Sequence, residues 1–189
     1  IVHNVAAESG VGFSLTRTGK ITDNIASDNS QFGFYLEEVV PFLRNSAFGN
    51  AGPGVVTIDE AASYQSAPAP YAAFYGNNFF GNDRNRPALA FGGYGQPYDY
   101  NPGTSAQCGV LNMGAVGESL DVVAGHAPPA PPVPTVVLQA ANNYWGSTSG
   151  AKPSGPGDAA GGVCDQNGAA TIVKPFATAA ESITGFASP

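Results

Sequence analysis

Apolar and polar positions alternate in short bursts along residues 1–60. Val11, Phe13 and Leu15 flank Gly12 and Ser14, while Phe32, Phe34 and Leu36 flank Gly33 and Tyr35. A third burst, GVVTI, carries Val56 and Ile58. A period of two marks a half-buried strand, because successive side chains point to opposite faces. The pattern therefore predicts that the Val, Phe and Leu positions of the first two bursts face inward and that Gly12, Ser14, Gly33 and Tyr35 face outward. The bursts recur every 21 or 22 residues, and an Asn precedes each of them: Asn4, Asn24 and Asn45, spaced by 20 and 21 residues. Recurrence of one strand at a fixed period is the signature of a solenoid, in which each coil buries its inner face against its neighbours. The predicted stack lays Phe13, Phe34 and Val56 over one another. The recurring Asn belongs at a turn, where it tolerates the left-handed conformation and its amide can bond the amide one coil above.

Between Ser63 and Ser105 the pattern breaks. The stretch YQSAPAPYAAFYGNNFFGNDRNRPALAFGGYGQPYDYNPG holds 10 of the 20 aromatic residues. Connections of this length are uncommon and tend to be functional or disordered, and so many aromatics oppose disorder. Residues 63–105 are expected to form an insertion on the flank of coils 1–62, or one packed on another chain. Short apolar runs return at Val110–Leu111 and Leu120–Val123. HAPPAPPVP (126–134) reads as an extended polyproline II connector. Thr135–Ala141 and Thr171–Val173 are further strand candidates. C-terminal coils and a cap would thus fill 106–177, followed by a tail at 178–189.

The segment ANNYWGSTSGAKPSGPGDAAGGVCDQNGAATIVKPFA resembles the ending of bacterial right-handed parallel β-helix proteins. In that family an inner strand leads into NNYWGS, then a Gly/Pro loop, then a short strand closing in Pro-Phe. Here those elements are Asn142 to Gly146, residues 147–162, and Ile172 to Phe176. The resemblance implies an all-β, right-handed parallel β-helix with a long aromatic-rich insertion and a C-terminal cap, plugged by Trp145 and Phe176. It implies no single function, since the family includes lyases, hydrolases, epimerases, adhesins and structural coils.

Composition fits this class. Charged residues are only 11%, while 25 Gly and 16 Pro make the chain turn-dense. A net charge of −7 with seven Lys plus Arg opposes binding to nucleic acid or anionic lipid, which require clustered cations. No apolar run approaches the roughly 20 residues of a membrane-spanning helix. Cys108 and Cys164 read either as a disulfide of an exported protein or as two buried thiols.

Chemistry is sparse. Glu37 and Glu38, stacked one coil before Asp59 and Glu60, form the best acidic set and a weak calcium candidate; no other cofactor is expected. Asp83, Arg84 and Arg86, inside GNDRNRP, are weak catalytic candidates for a polysaccharide lyase, hydrolase or epimerase, or a grip for a carboxylate. His3 and His126 are isolated, so a Ser-His-Asp arrangement lacks support. The leading expectation is a non-catalytic structural or binding module, located extracellularly, on a cell surface or in a periplasm. Its contact surface for a partner protein or glycan would be Tyr71, Phe74, Tyr75, Phe79, Phe80, Tyr94, Tyr98 and Tyr100. The alternative is the polysaccharide-active enzyme. A further expectation is that another polypeptide, or earlier coils of the same precursor, covers the Ile1 end.

Overall fold

On the three faces of the coils, strands pair with strands a full coil away rather than with their neighbours in sequence. The computed structural model describes residues 1–15, 19–37, 40–58, 74–84, 107–114, 137–166 and 168–183, and the backbone of 89–93 and 96–100. Among these residues the chain is all-β apart from one 3-10 turn at Gly162–Cys164. The second to fourth coils carry three short strands each, and the first carries two. The first face joins β3 (Ile21–Thr22), β6 (Phe42–Leu43) and β9 (Phe74–Tyr75). The second joins β1 (Val5–Ala7), β4 (Ile25–Ser27), β7 (Ser46–Phe48) and β10 (Asn78–Phe80). The third joins β2 (Phe13–Leu15), β5 (Phe34–Leu36), β8 (Val55–Thr57) and β13 (Val110–Asn112). All these pairs are parallel and in register, giving the stacked, solenoid-like fold that the period predicts. A parallel pair, β14 (Val137–Gln139) and β15 (Ala170–Ile172), lies toward the C-terminal end. The strands β11 (Leu89–Gly93) and β12 (Gln96–Tyr100) make an antiparallel hairpin.

Two columns of side-chain amides stitch the coils together. In the first, the backbone N–H of each residue in the series Asn4, Asn24, Asn45 and Asn77 donates to the Oδ1 of the next, ending on Asn143. In the second, Ser9, Asn29 and Asn50 donate in the same way to the next Asn Oδ1, and Asn82 closes the column on the carboxylate of Asp158. Each interior amide is also satisfied backward: Asn50 Nδ2 donates to Ala26 O at 3.1 Å and forward to Asn82 Oδ1 at 2.9 Å. Buried amides are tolerable only when satisfied so fully.

The residue just before a ladder position, rather than the Asn itself, takes the left-handed turn. Asp23, Arg44, Gly76 and Asn142 precede the first column with φ of 57°, 50°, 65° and 57°. Asp28, Gly49 and Gly81 do so for the second. Below the second column, Gly33 permits close approach of coils: a Cβ there would sit 2.5 Å from Gly54 O.

Inside, Phe13 stacks on Phe34 with centroids 4.8 Å apart, Phe42 packs on Phe74, and Phe79 lies over Trp145 at 5.0 Å. Trp145 is fully buried at the C-terminal end of this core, and Phe176 packs against it half-buried. The expected stack needs one correction. Val55, not Val56, continues the Phe13–Phe34 column, because Phe34 pairs with Val55 and Tyr35 with Val56. Two consecutive valines leave the register open in sequence, and a slip of one residue exchanges the faces of a strand. Val56 instead joins a second apolar cluster with Phe32, Leu111 and Met113, with Val11 and Tyr35 packed against it. Cys108 and Cys164, both buried, form a disulfide within that cluster.

A second correction concerns the aromatic stretch. Phe74 to Asp83, expected within an insertion, forms the fourth coil, in register with Phe42–Leu43 and Ser46–Phe48.

Candidate functional site

The second face has two very different sides. Ala26, Ala47 and Phe79, the middle residues of their strands, point into the core and are fully buried. The flanking residues Ile25, Ser46, Phe48, Asn78 and Phe80 point the other way and line a trough of about 650 Å³. Its walls are Tyr144 to Gly146 and Pro156 to Asp158 on one side, and a C-terminal strap, Ala180 to Ile183, on the other. A volume of this size is that of a ligand site.

An aromatic row runs along the trough. Phe48 and Phe80 stack 5.0 Å apart and 2° from parallel, and Tyr144 meets Phe80 edge-on at 6.4 Å. All three are half-buried. The row needs Gly146, whose φ is 81° and whose added Cβ would lie 2.7 Å from Phe80 Cβ.

The strap is held chiefly by one side chain. Asn78 Oδ1 accepts from Glu181 N at 2.8 Å, and Asn78 Nδ2 donates to Glu181 O at 2.9 Å and to Ser46 Oγ at 2.8 Å. The amide thus treats Glu181 as a neighbouring strand would, reading backbone and not side chain. Thr178 to Ser182 are exposed, and Ile183 alone is buried, at 8%. Two such bonds contribute about 0.5–1.5 kcal/mol each and a buried aliphatic about 1.5–3 kcal/mol. Ordering a residue costs roughly 1–2 kcal/mol, so a strap of several residues is held with little surplus.

Charge enters through Arg84 and Asp158. Burial pushes the Asp158 carboxyl above the usual carboxylate range, opposed by bonds from Asn82 and Gly81 and by the Arg84 charge. Its oxygens accept from Gly81 N, Asn82 N and Asn82 Nδ2, so it terminates the second amide column. Arg84 lies 3.9 Å away with a side chain 59% exposed, leaving most of its guanidinium open to a ligand. Among the described residues lining the trough the acids are Asp158 and Glu181, the latter on the strap.

The residues expected to carry function scatter. Phe80 and Arg84 meet in the trough. Phe74 and Phe79 are fully buried core residues and offer no contact surface, while Tyr75 is 55% exposed on the first face. Tyr98 and Tyr100 lie on β12. Asp83 is a buried corner whose carboxylate accepts from Cys108 N at 2.9 Å, a tie between the fourth coil and the disulfide. Tyr71, Tyr94, Arg86, Glu38, Asp59 and Glu60 lie outside the described residues, so of the calcium set only Glu37 is described. Among the described residues no group of three or more His, Cys, Asp or Glu could hold a metal ion.

Sequence reasoning missed Phe48, Tyr144, Asn78 and the strap. For Phe48 a signal existed, because NSAFGN and NNFFGN align Phe48 with Phe80.

No helix among the described residues is long and apolar enough to cross a membrane. Comparison with protein-family models, curated proteins and solved structures gives no match for this chain.

Proposed function

We propose that this chain is a non-catalytic binding module, part of an exported right-handed parallel β-helix of the kind its NNYWGS ending resembles. Its ligand is an extended polypeptide segment of a partner, held in the trough on the second face. The observation that carries this reading is the seat at Asn78, where one side-chain amide already holds both backbone groups of an extended segment. The aromatic row of Phe48, Phe80 and Tyr144 supplies apolar contact area, and Arg84 supplies a charge for a partner's acid. Export is supported by the Cys108–Cys164 disulfide, a bond that persists in oxidising compartments. The proposal extends to the first coil, where Ile1, Val2 and Val5 are 42%, 49% and 55% exposed and suit cover by a further coil or a second polypeptide.

Random peptides displayed on phage and panned on the intact chain test the trough. Recovered peptides are expected to bind the intact chain and to lose at least tenfold in affinity on Phe80→Ser and on Arg84→Glu, with circular dichroism unchanged. Failure to enrich any peptide, or enrichment indifferent to both substitutions, overturns the reading. Binding of neutral oligosaccharides that depends on Phe80 replaces the polypeptide with a glycan.

A further inference from the structure

Resting on the binding reading above, we infer that the Ala180–Ile183 strap, which walls the trough, is a displaceable occupant of the Asn78 seat, an internal competitor that a partner segment of like chemistry must expel. The strap occupies the only place on the second face where an outward amide has both its acceptor and its donor engaged by one backbone residue, among the described residues. It makes that contact through main-chain atoms, so any extended segment can repeat it. Its one buried side chain, Ile183, follows the amide-paired Glu181 by two residues, the spacing that returns a side chain to the same side of an extended chain. The chemistry of a displacing segment is therefore defined: extended backbone, an acid at the position paired to Asn78, where Glu181 acts on the Arg44 charge, and an aliphatic residue two positions later.

The hold on the strap is local. Residues 178–182 are exposed, and the two bonds to Glu181 come from a single side chain. Segments with few buried apolar contacts open without global unfolding. The seat is tied into the solenoid, since Asn78 stands on β10, the last strand of the second face, between the Asn77 and Asn82 rungs of the two amide columns, and is bonded to Ser46 Oγ. A seat so tied, with a weakly held occupant, is what displacement requires. Autoinhibition follows by mass action, since a tethered occupant competes at a high effective concentration.

The test uses a labelled peptide of residues 177–184, ATAAESIT, and the chain ended at Thr178. Saturable binding to the shortened chain is expected, at least tenfold tighter than to the intact chain. It should weaken at least tenfold on Asn78→Ala, or when the peptide carries Ile183→Ser. Equal binding to shortened and intact chains overturns the inference. Hydrogen exchange of the intact chain is a second readout, independent of whether the shortened chain folds. The Glu181 amide is expected to exchange at least a hundredfold faster than that of Asn50, whereas equal protection means the strap opens only with the whole solenoid and ends the proposal. The two proposals fail separately. Displayed peptides that need Phe80 yet bind equally well with and without the strap keep the binding reading and remove the competitor. Strap peptide that binds while no displayed peptide enriches does the reverse.

Discussion

Phe80 lies directly over Phe48, rings 5.0 Å apart and 2° from parallel, although one belongs to the aromatic-rich stretch and the other to the regular coils. That stacking makes the stretch around Phe80 a continuation of the solenoid. It also places an apolar row on an outward face, where packing alone has no need of one. Core rings such as Phe79 are fully buried, whereas these two stay half-exposed beside a guanidinium. On the binding reading proposed above, a contact surface built on the coils themselves lowers the ordering cost of binding.

Loss of one interior amide should be expensive. Asn50→Ala leaves Asn29 N without its acceptor, strips Asn29 Nδ2 of one of its two, and removes the side-chain donor to Ala26 O and to Asn82 Oδ1, which keeps only the 3.4 Å bond from the backbone N–H of residue 50. With about 1–3 kcal/mol for each stranded buried group, urea unfolding should register a loss of at least ~3 kcal/mol. Asn4→Ala, at the exposed first rung, should lose less than ~1 kcal/mol. Equal losses at the two positions would show that the column is not cooperative.

Thr57 presents the opposite case. Its Oγ1 is buried without a hydrogen-bond partner, in a position paired with Leu36. Thr57→Val keeps the shape and removes the stranded hydroxyl, so stability should rise by about 1–2 kcal/mol. A fall in melting temperature would mean that the hydroxyl is satisfied.

Acid should act on this protein with two signs. Hydrogen bonds from Arg44 hold the Asp23 carboxyl below its ordinary value of 3.8. Its contribution is therefore present above that value and lost as pH falls through the lower folded value. Arg44 is 47% exposed, so screening limits the pair to about 1 kcal/mol or less. Burial raises the Asp158 and Asp165 carboxyls. Their folded forms keep protons longer than the unfolded chain, and stability declines as pH rises from 3.8 through the folded values. Thermal melts from pH 2 to 7 should show Asp23→Ala converging on the parent at the acid end. The Asp158→Asn curve should instead improve relative to the parent as pH rises through that window. Parallel curves for both variants would contradict the assignment of these shifts.

Much of the fold was legible because ladder spacing within a coil is fixed. Asn24 and Asn29, Asn45 and Asn50, and Asn77 and Asn82 are each five apart, and the first column could be traced through Asn4, Asn24 and Asn45. Between coils the spacing is free. Asn45 meets Asn77 across 32 residues and Asn77 meets Asn143 across 66, so a search for a constant period stops at the third coil. Loop closure costs only slowly more with length, which lets long connections leave the corners without disturbing the stack.

The sequence by itself determined that strands recur and that amides align at their corners, because these follow from local alternation and short-range spacing, while Trp145 as a plug near the end of the core was implied by the resemblance of the NNYWGS ending. Only the tertiary structure decided that Val55 and not Val56 faces inward, that Phe74 and Phe79 are core, and that Phe48, Phe80, Arg84 and the Glu181 strap share one trough. Those outcomes depend on which coil lies beside which, and through-space stacking across loops of unequal length leaves no periodic trace along the chain.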